Sequence, residues 1–179
     1  MFLAEAQVRE GEWTLATFNI RHDNPADPIS WETRRNDVAN IIGFYDLVGL
    51  QEALPNQVED IAERVPWMSH IGLGRDADRG GESCPIFYNH EAWELLHHET
   101  LWLAPDWRTP GAIGWSADLP RIVTMAWFHH VQTGKRVRVY NTHWSHVSER
   151  ARRASAELIA SIDAIHGVDA TAVLGDFNE

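Results

Sequence analysis

An α/β fold with much antiparallel pairing, arranged as two sheets with helices outside, is what this sequence predicts. Three observations point there. Strand-like runs outnumber helical ones, and the two kinds are mixed along the chain. The extended runs 121–131 and 135–143 flank Gln132-Thr133-Gly134, which has the look of a hairpin turn. Four polar clusters each close an apolar, strand-like run, the place where α/β proteins gather ligands.

The elements follow in order. Residues 13–20, Trp-Thr-Leu-Ala-Thr-Phe-Asn-Ile, alternate as a strand does. A loop with Pro25 and Pro28 comes next. Residues 31–43 read as a helix with Val38, Ile41 and Ile42 on its inner face. The short apolar run 46–51 reads as a buried strand leading into Glu52. Residues 55–65 read as a helix, with Pro55 suited to its first turn. Strand-like runs at 67–73, 84–89 and 93–103 are punctuated by Gly80-Gly81 and Asn89-His90. Residues 104–120 hold Pro105, Pro110, Gly111, Gly114 and Pro120 and read as a structured surface loop. Residues 148–165 fit a helix capped by Ser148, with Ala154, Leu158, Ile162 and Ile165 facing inward. The run 170–174 is a short strand that ends at Gly175-Asp176.

At 179 residues the chain suits one domain, 1–179, with a sizeable apolar core. No run approaches a transmembrane length. Residues 1–5 lack a basic region followed by an apolar stretch, so no signal peptide is read and a cytoplasmic location is expected. The single cysteine, Cys84, excludes an intramolecular disulfide framework. The net charge of -11 repels duplex DNA and anionic membranes at long range. It leaves a small phosphate open as substrate, because bound divalent cations reverse the local field. Nine tryptophans are many for this length, and they suit either a pocket wall or the core.

The strand-end clusters are Asn19, Gln51-Glu52, Asn141-Thr142-His143 and Gly175-Asp176-Phe177-Asn178. Glu52 is a hard oxygen donor of the kind that holds Mg²⁺ or Mn²⁺, ions that keep several waters. Its plain alternative is a helix-cap carboxylate before Pro55. Asn19 is placed to orient such a carboxylate or to contact phosphate. Asp176 and Asn178 share one side if strand geometry persists, and they would then orient a water and support it. The alternative is an Asx turn. His143 shares a face with Asn141 and would stabilise charge on a phosphoryl oxygen. Arg121 and Arg152 are candidate phosphate contacts through the guanidinium fork, or else partners of the many acids. Glu82 would approach a metal or cap a loop. His143 and His146 raise zinc, but the chain has one cysteine and no His-Glu-x-x-His motif.

The order Thr17-Phe18-Asn19, Gly49-Leu50-Gln51-Glu52, Asn141-Thr142-His143 and Gly175-Asp176-Phe177-Asn178 resembles the endonuclease/exonuclease/phosphatase superfamily, which shares its fold with DNase I. The stretches 82–88, 101–103, 114–121 and 146–152 are similar to one bacterial branch of hydrolases within it. The resemblance implies a DNase I-like two-sheet sandwich flanked by helices. It implies that Asn19 and Glu52 lie on the side of a Mg²⁺ ion (or Mn²⁺), and that His143 contacts the scissile phosphate. Asp176 would orient the attacking water, supported by Asn178, and Arg121 and Arg152 fall at positions the branch keeps basic. The branch commonly has Asp where Ser116 and Ser145 stand. The family pattern continues with a strand-rich segment that brings a late Asp and an Asp-His pair, whose His is the general base. This sequence closes at Glu179, so the resemblance implies a domain incomplete at its C-terminal side. The implied activity is Mg²⁺-dependent hydrolysis of a small phosphorylated molecule, as phosphodiesterase or phosphatase, by direct attack of water. Three rivals remain: an endonuclease or exonuclease, a lipid phosphodiesterase, and an inactive fragment or interaction protein lacking the Asp-His pair.

Overall fold

The computed structural model describes residues 13–163 and 167–178. In chain order these form β1 (Leu15–Asn19), α1 (Trp31–Ile42), β2 (Leu47–Gln51), α2 (Pro55–Arg64), β3 (Met68–Ile71) and β4 (Ile86–Asn89). There follow β5 (Trp93–Trp102), β6 (Ile122–His130), β7 (Arg136–His143), α3 (Glu149–Asp163) and β8 (Ala170–Asp176). Local chemistry accounts for the helix starts. Ser30 caps α1 by accepting the Thr33 N–H. Pro55 occupies the first turn of α2, where a missing N–H costs nothing. Ser148 caps α3 by accepting the Ala151 N–H.

The strands form two four-stranded sheets, ordered β1-β2-β4-β3 and β5-β6-β7-β8. One parallel pair sits in each, β1 with β2 and β7 with β8, and the remaining pairs are antiparallel. Side chains alternate between the two faces of each strand. In β2, Val48 and Leu50 face α1 and α2, packing with Val38, Ile42, Val58 and Ile61. Leu47 faces the second sheet and packs with Phe128, Val137 and Val139. On the far side of the second sheet, Met125 and Tyr140 pack against Ile159, Leu158 and Ile162 of α3. The result is a helix–sheet–sheet–helix sandwich, as the sequence predicts.

Three details differ from the sequence reading. Ile41 is 43% exposed; the inner arc of α1 is Trp31, Val38, Ala39 and Ile42. The apolar character of Ile41 is thus no guide to its face, because the 3.6-residue period rotates it off that arc. In α3 the deepest positions are Ala151, Ser155 and Ile159, with Ala154 only half-buried. The strand does not persist past Asp176: Asn178 is left-handed at φ 54°, and its N–H donates to Asp176 Oδ1 at 3.1 Å, the Asx turn. Ile165, Glu179 and residues 1–5 lie outside the described residues. Among the described residues no helix is long and apolar enough to cross a membrane.

Candidate active site

The period-2 rule builds the site. Leu15, Leu47, Val137, Val139 and Leu174 all face the gap between the sheets. Stepping by two places Asn19, Gln51, His143 and Asp176 on that same side, at the ends of their strands. Register completes the alignment, since Asn19 pairs with Gln51 and His143 with Asp176. A buried bond network ties the two sheets together just beneath. Gln51 Nε2 donates to Asn141 Oδ1 at 2.7 Å, and Asn141 Nδ2 donates to the carbonyls of Leu50 and Pro85 at 2.7 and 2.8 Å. Gly49 makes room for this link, because a Cβ there would lie 2.6 Å from Asn141 Cγ.

At the centre, Asn19 Nδ2 donates to both Glu52 Oε1 and Asp176 Oδ2, each at 2.9 Å. One amide thereby holds two carboxylates from different sheets. His143 Nε2 stands 3.9 Å from Asp176 Oδ2, too far for a hydrogen bond. Burial, and then the nearby Arg121, push the His143 imidazole down to about 4, so it is neutral at pH 7. Burial opposes the charge on Glu52, but the bonds from Asn19 and His22 outweigh it and hold the carboxyl below its ordinary value. Glu52 itself is left-handed at φ 60°, as are Arg21 and Asn178 at 56° and 54°. Such residues cost about 1–3 kcal/mol each and collect at functional sites.

Several contributors were not singled out from the sequence. His22 approaches Glu52 Oε2 with its N–H at 3.2 Å and its ring Nδ1 at 3.0 Å. Buried Gln57 holds that loop in place: it accepts the Asp23 N–H and donates to the Arg21 carbonyl, both at 3.0 Å. Arg75 forms a bidentate pair with Glu82, at 3.0 and 2.9 Å. None belongs to a strand-end motif, and the partners of His22 and Gln57 lie about thirty residues away, beyond any local sequence signal.

Above these groups opens a cleft of 310 Å³, lined by Arg21, His22, Glu52, Arg75, Glu82, Leu119, Arg121, His143, His146, Asp176 and Asn178. Of the residues predicted from sequence, Glu52, His143, Asp176, Asn178 and Arg121 line it, and Asn19 lies beneath through its bonds to Glu52 and Asp176. Asn178 donates its Nδ2 to the Trp144 carbonyl at 3.0 Å. Arg152 is not brought there. It sits on α3, donates to the Ser145 carbonyl at 3.0 Å, and lines a separate recess with Trp144 and Glu149. Among the described residues no tryptophan lines the cleft; Trp31, Trp93 and Trp102 are core residues. Cys84 is buried and its thiol is pushed up to about 12 by that burial, which removes it as a nucleophile.

The donor set fits one kind of cation. Among the described residues no three His, Cys, Asp or Glu side chains converge as a ready-made metal cage. Glu52 offers a carboxylate whose Oε1 takes only the Asn19 N–H and retains acceptor capacity, while Oε2 already meets the His22 N–H and ring. That suits a hard ion which keeps its waters and takes one or two carboxylates, and does not suit zinc. Asn19 presents N–H to Glu52, while its Oδ1 accepts the Arg21 N–H at 2.9 Å.

A DNase I-like sandwich with carboxylates, amides and a histidine gathered at parallel strand ends defines the class. The chain belongs to the endonuclease/exonuclease/phosphatase family, whose sequence profile matches residues 16–179 and whose members are phosphoester hydrolases. Solved structures agree. An endonuclease/exonuclease/phosphatase of Bacteroides vulgatus is 42% identical, with a TM-score of 0.89 over 93% of this chain and 66% of that one. A family protein of Bacteroides thetaiotaomicron is 31% identical, with a TM-score of 0.87 over 93% and 63%. A mannosyl-6-phosphatase of the same organism is 31% identical, with a TM-score of 0.88 over 93% and 66%. This chain thus spans slightly less than two thirds of the length of each. No curated protein sequence matches it.

Proposed function

We propose that this chain carries most of the active site of a Mg²⁺-dependent hydrolase of a small phosphorylated molecule, acting by direct attack of water. The observation that carries the reading is the Asn19 amide holding Glu52 and Asp176 side by side at 2.9 Å, next to a neutral His143. Glu52 would hold the cation, which when bound supplies positive charge to phosphoryl and leaving oxygens. Mn²⁺ satisfies the same donor chemistry. Asp176 accepts a hydrogen bond from the attacking water and turns its lone pair toward phosphorus. The turn at Asn178 fixes the Asp176 carboxylate by donating to Oδ1. His143, being neutral, offers a ring N–H to a phosphoryl oxygen as charge grows there. Arg121 adds a fixed cation on the cleft wall. The 31% identity to a mannosyl-6-phosphatase supports a small phosphorylated substrate.

The test uses the full-length protein and aryl phosphate esters. Hydrolysis should vanish in EDTA and return with Mg²⁺ or Mn²⁺. Glu52→Gln and Asp176→Asn should each lower kcat by about a hundredfold or more, the scale of losing a transition-state electrostatic group. Turnover that persists in EDTA would remove the metal from the mechanism. Unchanged kcat in both variants would remove the site.

A further inference from the structure

Arg75 and Arg121 share one wall of the cleft, and the mechanism above uses the charge of Arg121 but not the hydrogen-bonding capacity of either guanidinium. Arg121 is only 5% exposed, yet among the described residues no carboxylate forms an ion pair with it. Its Nη2 meets His146 Nδ1 at 2.9 Å, and Asp118 lies 3.6 Å from the other nitrogen of that ring. Its Nε is buried and has no hydrogen-bond partner among the described residues. Removing a cation from water without a counter-charge is strongly unfavourable. Arg75 then brings a second cation to the same recess, beside Glu52 and His143. Burial, followed by Arg75, draws the Arg121 guanidinium below its ordinary value. Only Arg75 has a direct counter-charge, Glu82, whose two oxygens take one N–H from each terminal nitrogen. That leaves Arg75 Nε–H and the second N–H of each terminal nitrogen for another acceptor.

Arg75 is thus bonded to a carboxylate, while Arg121, favoured only through space by Asp118 and Glu82, has none bonded to it among the described residues. The missing partner is an anion rich in oxygens. A phosphomonoester terminus fits best: it carries close to two negative charges and three strong acceptor oxygens. A phosphodiester has one charge and fewer free oxygens. We propose that Arg75 and Arg121 form a clamp for the terminal dianionic phosphoryl group of a phosphomonoester, with Glu82 as the positioning residue that holds the Arg75 fork. This rests on the hydrolase reading above and narrows its substrate class.

Two measurements on the full-length protein test it. The first is calorimetric titration with inorganic phosphate of the wild type, Arg75→Gln, Arg75→Lys and Arg121→Gln. Phosphate should bind the wild type, and affinity should fall by about tenfold or more in Arg75→Gln, the loss of a charge-assisted bond. Lysine should not restore it, because a point charge lacks the planar fork. The second compares kcat/KM for an aryl phosphate monoester and for the matching diester. Arg75→Gln should lower the monoester value by about ten- to a hundredfold and the diester value by much less. Equal phosphate affinity in wild type and Arg75→Gln would overturn the clamp, as would equal losses on both esters. Arg121→Gln removes a buried group; should it fail to fold, Arg75→Gln decides alone. Arg75-dependent phosphate binding with no hydrolysis of either ester would sink the hydrolase reading and leave the clamp standing.

Discussion

Asn19 shows how much one side chain organises here. Glu52 and Asp176 come from different sheets, and as bare neighbours they would repel. An amide nitrogen has two hydrogens, and each goes to one carboxylate. His143 is the other residue whose state the surroundings set. It titrates at about 4 in the fold against 6.5 ordinarily, chiefly because it is buried. Between those values the unfolded chain takes up a proton that the folded site refuses. Stability is then fully present above pH 6.5 and declines as the pH falls toward 4. The effect is at most about 3 kcal/mol, from the shift at 1.36 kcal/mol per pH unit. Urea unfolding in chelator across this range should show the decline in wild type and a flatter profile in His143→Gln. An identical acid slope in the variant would assign the effect to another group.

At the scale of elements, the contact between β2 and β7 positions Glu52 against His143. Its parts are interlocked, since Asn141 of β7 fills the space left by Gly49 of β2 and bonds back to Gln51. Gly49→Ala forces a methyl group against Asn141 and should cost about 1–3 kcal/mol, the range for overpacking. Asn141→Ala removes three buried hydrogen bonds and should cost about 2–4 kcal/mol at the usual net value per bond. The double variant should lose less than the sum, because the methyl group then has room. A double-mutant cycle by urea unfolding measures that coupling. Strict additivity would place the strain of Gly49→Ala somewhere other than Asn141.

For the whole molecule, charge and site oppose each other. The net charge is -11, while the cleft wall carries Arg21, Arg75 and Arg121. A small anion needs only the local field, whereas a duplex samples the global one over many phosphates. A short fluorescent DNA duplex should therefore show no saturable anisotropy rise at physiological salt. Saturable, salt-sensitive binding would move the substrate toward nucleic acid.

The sequence by itself determined the order and type of the elements, the sandwich, and which strand ends carry the polar side chains that line the cleft. Period-2 alternation and strand-end motifs are local signals, so Asn19, Glu52, His143 and Asp176 are legible one strand at a time. The same locality misled where a boundary was at stake: the strand closing at Asp176 gives way to a turn, so Asn178 reaches the cleft from a left-handed residue. Composition could not separate Arg121 from Arg152; burial in the cleft wall and a place on the outer helix did. Arg75, His22 and Gln57 became visible only in three dimensions. His22 and Gln57 act by meeting segments about thirty residues away in the chain, and Arg75 by where its loop is packed against the cleft, which no sequence period encodes.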